Sequence, residues 1–254
     1  MLSKSRVKYI KSLEYKRYRD EYGVFLAEGN KLVSELMGRF ACELLVAKPS
    51  WMATQGDLNA AELVVADNDD IRKASLLKSP QDVLAVFRKP DTRLQPAELG
   101  QTLSLALDGV QDPGNLGTIV RVADWFGIGQ VICSPDCADI YNPKTVQSTM
   151  GALARVQVHY TDLPALLKSA EYPVYGTLLS GNNIYGETLE SKGIIVMGSE
   201  GQGISDEVAE LLTHRLYIPN YPQGRESSES LNVAVATSIV CAEFRRREVQ
   251  PCQV

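Results

Sequence analysis

Three stretches of the 254-residue chain place glycines, amides and ionisable side chains directly after an apolar run. An α/β fold presents residues to a ligand in this way, because ligands sit beyond the carboxyl ends of its strands. The first, DGVQDPGNLGTIVR at 108–121, follows LSLAL at 103–107 and leads into a helix. Its glycines at 109, 114 and 117 satisfy neither G-x-x-x-x-G-K-[ST] nor G-x-G-x-x-G, which argues against a P-loop NTPase and a Rossmann dinucleotide site. Spacing leaves two readings of Asn115 and Arg121 open: polar groups looking back over the loop, or a helix cap and a surface cation. The second stretch, GSEGQG at 198–203, follows the apolar GIIVM. Three glycines in six residues let backbone approach a flat or extended ligand closely. Glu200 among them is too polar for a mere turn, although it could also cap the next helix. The third, IPNYPQGRESSESLNV at 218–233, is a strand end and a long polar loop, with Ser230 and Asn232 at the entrance of the last helix. Ser230 reads as its N-cap.

Much other chemistry is excluded. The five cysteines (Cys42, Cys133, Cys137, Cys241, Cys252) form no C-x-x-C, and with only His159 and His214 no zinc set appears, so no metal is expected. His159 lies in the strand-like RVQVHY and His214 at a helix end, positions that suit structural roles better than a Ser-His-Asp or Cys-His nucleophile. The longest apolar stretches, such as Val233–Ala242, fall well short of the roughly 18 residues that cross a bilayer. MLSKSRVKYIKSLEYKRYRD is charged throughout and lacks an apolar signal core, so a cytoplasmic protein without membrane contact is expected.

The elements that must position the loops follow from apolar periodicity. Hydrophobic residues make up 44% of the chain, enough for an ordinary core. In the first part, residues 4–19 read as a helix, GVFLA (23–27) as a strand and NKLVSELMG (30–38) as a helix capped by Asn30. ELLVA (43–47), ELVVA (62–66) and DVLAVF (82–87) read as strands, with a helix at 69–77. This predicts a small α/β/α sandwich. RKPDTRLQPAELG (88–100) has two prolines and no apolar period, and reads as the linker. Beyond it, strands at 103–107, 130–133, 155–160, 173–179, 193–197 and 215–219 alternate with helices at 116–126, 143–153, 162–170, 205–213 and 231–247. That pattern predicts a mostly parallel sheet covered on both faces. The expected domains are 1–95 and 103–254, with 96–102 ending the linker.

The net charge of −5 is divided unevenly: +3 over residues 1–95 and −8 over 96–254. Lys4, Arg6, Lys8, Lys11, Lys16, Arg17 and Arg19 face only Glu14 within the first 19 residues, interleaved with Tyr9, Tyr15 and Tyr18. Positive charge attracts phosphate and aromatic faces stack unpaired bases, yet on this segment alone a solvated amphipathic helix is the simpler reading. The asymmetry suggests two domains with different tasks.

N-L-G-T-I-V-R (115–121), G-S-E-G-Q-G (198–203) and I-P-N…S-L-N-V (218–220, 230–233) together resemble the three motifs of the SpoU/TrmH family, SPOUT-class RNA ribose 2′-O-methyltransferases. The resemblance covers about 103–247 in the family's order. The segment Lys11–Glu35, with R-D-E-Y-G-V-F-L-A-E-G-N-K-L-V, is similar to the substrate-binding domain that many members carry first. The loop YPQGRESSE is a few residues longer than the family's, so only the flanking Ile218 and Ser230–Asn232 align. The resemblance implies a SPOUT domain with a deep trefoil knot and S-adenosylmethionine as cofactor. It implies cofactor contacts from Thr177, Leu178, Gly198, Glu200, Gly201, Ile218, Pro219, Leu231 and Asn232. It also implies a homodimer, and an RNA substrate, ribosomal RNA in preference to transfer RNA. Arg121 would act on the ribose hydroxyl or its flanking phosphate, oriented with the loops by Asn115, Glu200, Ser230 and Asn232. Two other functions fit less well. A base-methylating relative would not need the N-x-G-x-x-x-R motif, and an inactive RNA-binding or ribosome-associated module would not need all three loops and Arg121.

Overall fold

The computed structural model describes residues 2–222 and 230–247. By packing, the chain divides into two units, Met1–Asp91 with Asp139–Ala154, and Thr92–Ala138 with Arg155–Val254.

The first unit is built on a four-stranded sheet: β1 (Val24–Glu28), β2 (Cys42–Ala47), β3 (Ala60–Val65) and β4 (Val83–Arg88), in the order β1-β4-β2-β3. β4 runs antiparallel to both β1 and β2, whereas β2 and β3 are parallel, so the sheet is mixed. Alternation along the strands sorts the side chains. Val24, Leu26, Leu44, Val46, Leu84 and Val86 pack with Ile10, Leu13, Ile71 and Ala74 from the helices Lys4–Ser12 and Asn68–Ala74 and the turn after the first. Phe25 and Phe87 point the other way and meet Phe40 and Tyr141.

Several expectations for this unit are corrected. The helix expected over 4–19 is two helices, Lys4–Ser12 and Lys16–Tyr22. Leu13 is fully buried at the break, and Arg19 Nη1 donates to the carbonyls of Leu13 and Glu14, which the broken helix leaves open. Gly29, with φ of 108°, takes the N-cap position expected of Asn30. The Asn30 side chain is instead engaged by Asp82, donating to its Oδ2 at 3.0 Å and accepting from its backbone N–H at 3.1 Å. The segment Asp139–Ala154 belongs to this unit although its chain neighbours do not. Asp139 pairs with Arg19 at 2.6 Å, and Tyr141 lies 5.0 Å from Phe25. A Cβ at Gly151 would meet Glu35 Cβ at 2.8 Å, so that close approach requires glycine. The helix expected over 143–153 closes at Thr149 and is followed by a 3₁₀ turn, Ala152–Ala154.

The second unit holds six strands: β5 (Leu103–Asp108), β6 (Gln130–Cys133), β7 (Gln157–Tyr160), β8 (Val174–Asn183), β9 (Gly193–Gly198) and β10 (His214–Tyr217). Their order is β10-β8-β9-β5-β6-β7 and every pairing is parallel. From β5 the chain builds outward through β6 and β7, then crosses to the other side, so the winding reverses between β5 and β9. At such a switch point the loops leaving two neighbouring strands part and open a crevice.

Candidate active site

The first loop leaves β5 and enters the helix Pro113–Trp125. Pro113 suits the first helical position, and Asp112 is the cap, accepting from Asn115 N–H at 2.8 Å. Asn115 is therefore not the cap, and its side chain is free for other work. A neighbouring loop laces this one in place. Ser134 N–H donates to the Leu107 carbonyl at 2.9 Å, Gly109 N–H to Ser134 Oγ at 2.9 Å, Val110 N–H to Cys137 Sγ at 3.2 Å, and Ala138 N–H to the Val110 carbonyl at 2.9 Å. Ser134 and Cys137 were not legible as site-supporting residues, because their partners lie 25 and 27 residues away.

The second loop closes on itself. Ser199 N–H donates to the Gly203 carbonyl at 3.0 Å, and Gly203 N–H returns to Ser199 at 2.9 Å. A Cβ at Gly198 would lie 2.1 Å from the Gly203 carbonyl carbon, whereas Gly201 faces open space. Asp108 at the end of β5 accepts from Ser205 N–H at 2.7 Å and ties this loop to the first.

The third stretch corrects one expectation. The last helix runs Val233–Arg246, and its N-cap is Asn232, which accepts from Ala234 and Val235 N–H at 3.1 and 3.2 Å. Ser230, expected as the cap, is exposed and outside the helix. The cap that satisfies the helix is the residue that the second loop can also reach, and that is Asn232.

All three loops meet at one carboxylate oxygen. Glu200 Oε1 accepts from Asn232 Nδ2 at 2.5 Å, Asn115 Nδ2 at 3.1 Å and Val233 N–H at 3.2 Å, while Asn232 Nδ2 also reaches Asn115 Oδ1 at 3.0 Å. The chain belongs to the SpoU rRNA methylase family. That family's model matches residues 102–242, and the model of an MRM3-like substrate-binding domain matches residues 4–85. The chain is 33% identical to the 23S rRNA (guanosine(2553)-2′-O)-methyltransferase RlmP of Bacillus subtilis, over 94% of this chain and 96% of that one. It is similar to a solved TrmH-family structure from Porphyromonas gingivalis, with a TM-score of 0.88 and 41% identity over 97% of this chain and 99% of that one. An AdoMet-bound rRNA methyltransferase from Sinorhizobium meliloti superposes with a TM-score of 0.81 at 29% identity, over 98% of this chain and 97% of that one. SpoU enzymes use S-adenosylmethionine as methyl donor.

Of the residues expected at the cofactor, Thr177 and Leu178 lie within β8, Gly198 ends β9, Ile218 and Pro219 follow β10, and Leu231 precedes the last helix. Pairing of β8 with β10 jumps from Gly176↔Arg215 to Asn182↔Leu216, and pairing with β9 stops at Gly176↔Val196. Thr177 and Leu178 therefore leave the ladders, and their backbone groups can meet the edge of an adenine ring. Thr177 Oγ1 is held 3.6 Å from Met197 Sδ. Ile218 and Pro219, half-buried, continue from β10, and Leu231 keeps 45% of its surface exposed. Backbone freed from the sheet, open space at Gly201 and exposed aliphatic side chains fit an adenosine with an attached sulfonium.

Other expected residues are placed differently. Arg121 lies on the exposed face of the helix Pro113–Trp125 and has no hydrogen-bond or ion-pair partner among the described residues. The Asn115–Glu200–Asn232 cluster orients the loops but does not touch it. Residues 223–229 of the long loop lie outside the described residues. In the first unit Lys4, Lys8, Lys11, Lys16 and Arg17 are exposed, and Arg6 is paired with Glu62. Arg19, expected among the RNA-binding residues, is instead buried: it is 1% exposed, its Nη1 donates to the carbonyls of Leu13 and Glu14, and its Nη2 donates to Asp139. His159 is buried against Gln130, and burial lowers its pKa. His214 lies 4.7 Å from Tyr175. Neither histidine joins the loop cluster.

Proposed function

We propose that this protein is a cytoplasmic homodimer that methylates one ribose 2′-hydroxyl of ribosomal RNA, with the first unit supplying RNA affinity and the second the chemistry. The observation that carries this reading is the convergence of three loops on Glu200 Oε1, at the strand ends where the winding reverses. Full-length similarity to an enzyme that acts on 23S rRNA favours ribosomal over transfer RNA.

S-adenosylmethionine, when bound, supplies a methyl group already activated by its sulfonium, so the protein's tasks are alignment and management of one proton. Thr177, Leu178, Gly198, Gly201, Ile218, Pro219 and Leu231 would hold the cofactor through backbone and aliphatic contacts. Glu200 and the two asparagines fix the loops before substrate arrives, which lowers the cost of ordering them. Arg121, exposed and without a partner among the described residues, can meet the substrate. A guanidinium keeps its proton and is a poor base, so its better role is to hold the adjacent phosphate and stabilise the developing alkoxide, while the proton leaves to phosphate or water. Homodimerisation draws support from apolar surface on the helices of the second unit: Trp125 is 85% exposed and Val235 49%.

Mapping 2′-O-methyl sites in total RNA from cells with and without the protein tests the reading. One ribosomal RNA position should lose its methyl group, with a guanosine of the large-subunit RNA the first to inspect. An unchanged map would overturn the proposal, and a lost site in transfer RNA would correct its substrate.

A further inference from the structure

We propose that Tyr9, Tyr18 and Tyr22 form a stacking platform for unpaired nucleotides of the RNA substrate. The inference rests on the RNA-methylating reading above and assigns ligand contacts to residues that the three loops do not include.

Two helices contribute to the platform. Tyr18 and Tyr22 are four residues apart on the helix Lys16–Tyr22, hence on one face, and their rings are nearly parallel at 19° with centroids 6.1 Å apart. Tyr9 from the helix Lys4–Ser12 continues the row, 5.4 Å from Tyr22 at 57°. The Arg17 guanidinium lies 5.8 Å from the Tyr18 centroid and extends the row with a cationic plane. One end is anchored: Tyr9 Oη donates to Glu43 Oε1 at 3.0 Å, and Arg88 holds the other oxygen of that carboxylate at 3.1 Å. The rings are therefore preset, and binding would not have to order them.

These tyrosines are not simply core. Tyr22 is 42% exposed, and Tyr18 is half-buried. Packing explains Tyr9, which is half-buried and anchored at its hydroxyl, but it does not explain the exposed surface of Tyr22. The surrounding charge suits RNA. Lys8 and Lys11 flank Tyr9 in sequence and have no acidic partner among the described residues. Of the nearby acids, Asp20 is neutralised by Lys89 at 2.6 Å, leaving Glu14 and Glu21 as the local negative charges. Aromatic faces accept only bases that are not already stacked in a duplex, so the expected ligand is a loop, bulge or single-stranded segment.

The test uses the full-length protein and two fluorescent probes, an unstructured RNA of about 12 nucleotides, within the span of ordinary single-strand sites, and the same strand in a duplex. Tyr22→Leu should weaken binding of the unpaired probe about ten- to a hundredfold, the range of one lost base stack, with an unchanged salt slope. Tyr22→Phe should retain wild-type affinity, and Lys8→Gln should lower the salt slope by about 0.7. Duplex binding should be indifferent to Tyr22. Tyr18→Leu serves as a second variant if Tyr22→Leu melts early. Equal affinity of the leucine and wild-type proteins would overturn the platform, as would a loss in Tyr22→Phe as large as in Tyr22→Leu. If the wild type methylates its RNA yet the leucine variants bind as well as it does, the platform alone fails. If the wild type neither binds nor methylates RNA, both readings fail together.

Discussion

Glu200 offers the sharpest test of the site. Its Oε1 receives three N–H groups, at 2.5, 3.1 and 3.2 Å, from two other loops. A hydrogen bond to a charged group is worth roughly 1.5–3 kcal/mol net when buried. Glu200 is exposed, so water can replace part of each bond; about 1 kcal/mol apiece, or about 3 kcal/mol in all, is the appropriate scale for Glu200→Ala. At roughly 2–4 °C per kcal/mol for a chain of this size, the second unit should melt about 6–12 °C earlier. Glu200→Gln keeps an acceptor in the same place but loses the charge, which about halves each bond, so about half that shift should remain. If restoring loop geometry costs the same energy on the way to the transition state, methyl transfer per encounter should fall about 150-fold in Glu200→Ala. Differential scanning calorimetry, cofactor titration and single-turnover methyl transfer would measure these quantities. A Glu200→Ala protein with wild-type melting and wild-type cofactor affinity would refute the idea that this carboxylate joins the loops.

Arg121→Ala should leave melting and cofactor affinity unchanged, because the side chain has no partner among the described residues, and should lower turnover by about two to four orders of magnitude. In Arg121→Lys, partial activity independent of pH would mark a phosphate contact, whereas activity rising with pH would mark a general base, since a lysine amine deprotonates below the range of a guanidinium. Arg19→Met should destabilise the first unit by about 3–5 kcal/mol in thermal unfolding, because it leaves the Asp139 carboxylate without its buried partner; an unchanged midpoint would mean that water already serves Asp139. Calorimetry in EDTA should show S-adenosylmethionine binding undiminished, and strict metal dependence would contradict the proposed chemistry. Light scattering should give twice 27.9 kDa at micromolar concentration, and Trp125→Asp should shift the mass toward one chain.

Much of the second unit was legible because its signals are local. Short apolar runs such as LSLAL and GIIVM, followed by glycine-rich turns, read as strands buried on both faces, and they lie in the observed β5 and β9. The glycine-rich stretches after them read as loops, whereas the joint role of Asn115, Glu200 and Asn232 was implied only by the resemblance to the SpoU/TrmH motifs. Where two local signals competed, sequence alone chose wrongly. Ser230 and Asn232 are both good caps, and the choice of Asn232 depends on Glu200, 32 residues away, receiving its amide.

By itself the sequence determined the alternation of elements, the strand ends that carry the loops, and the asymmetry of charge between the two parts of the chain. All of these are written in residues a few positions apart. Only tertiary structure decided that Arg19 is a buried structural cation and not an RNA contact, because its partner Asp139 stands 120 residues away. Tertiary structure also decided that Asp139–Ala154 packs with the first unit and that Thr177–Leu178 leave the sheet ladders. Burial of a polar side chain depends on which distant group arrives to replace its water, and no local periodicity records that arrival.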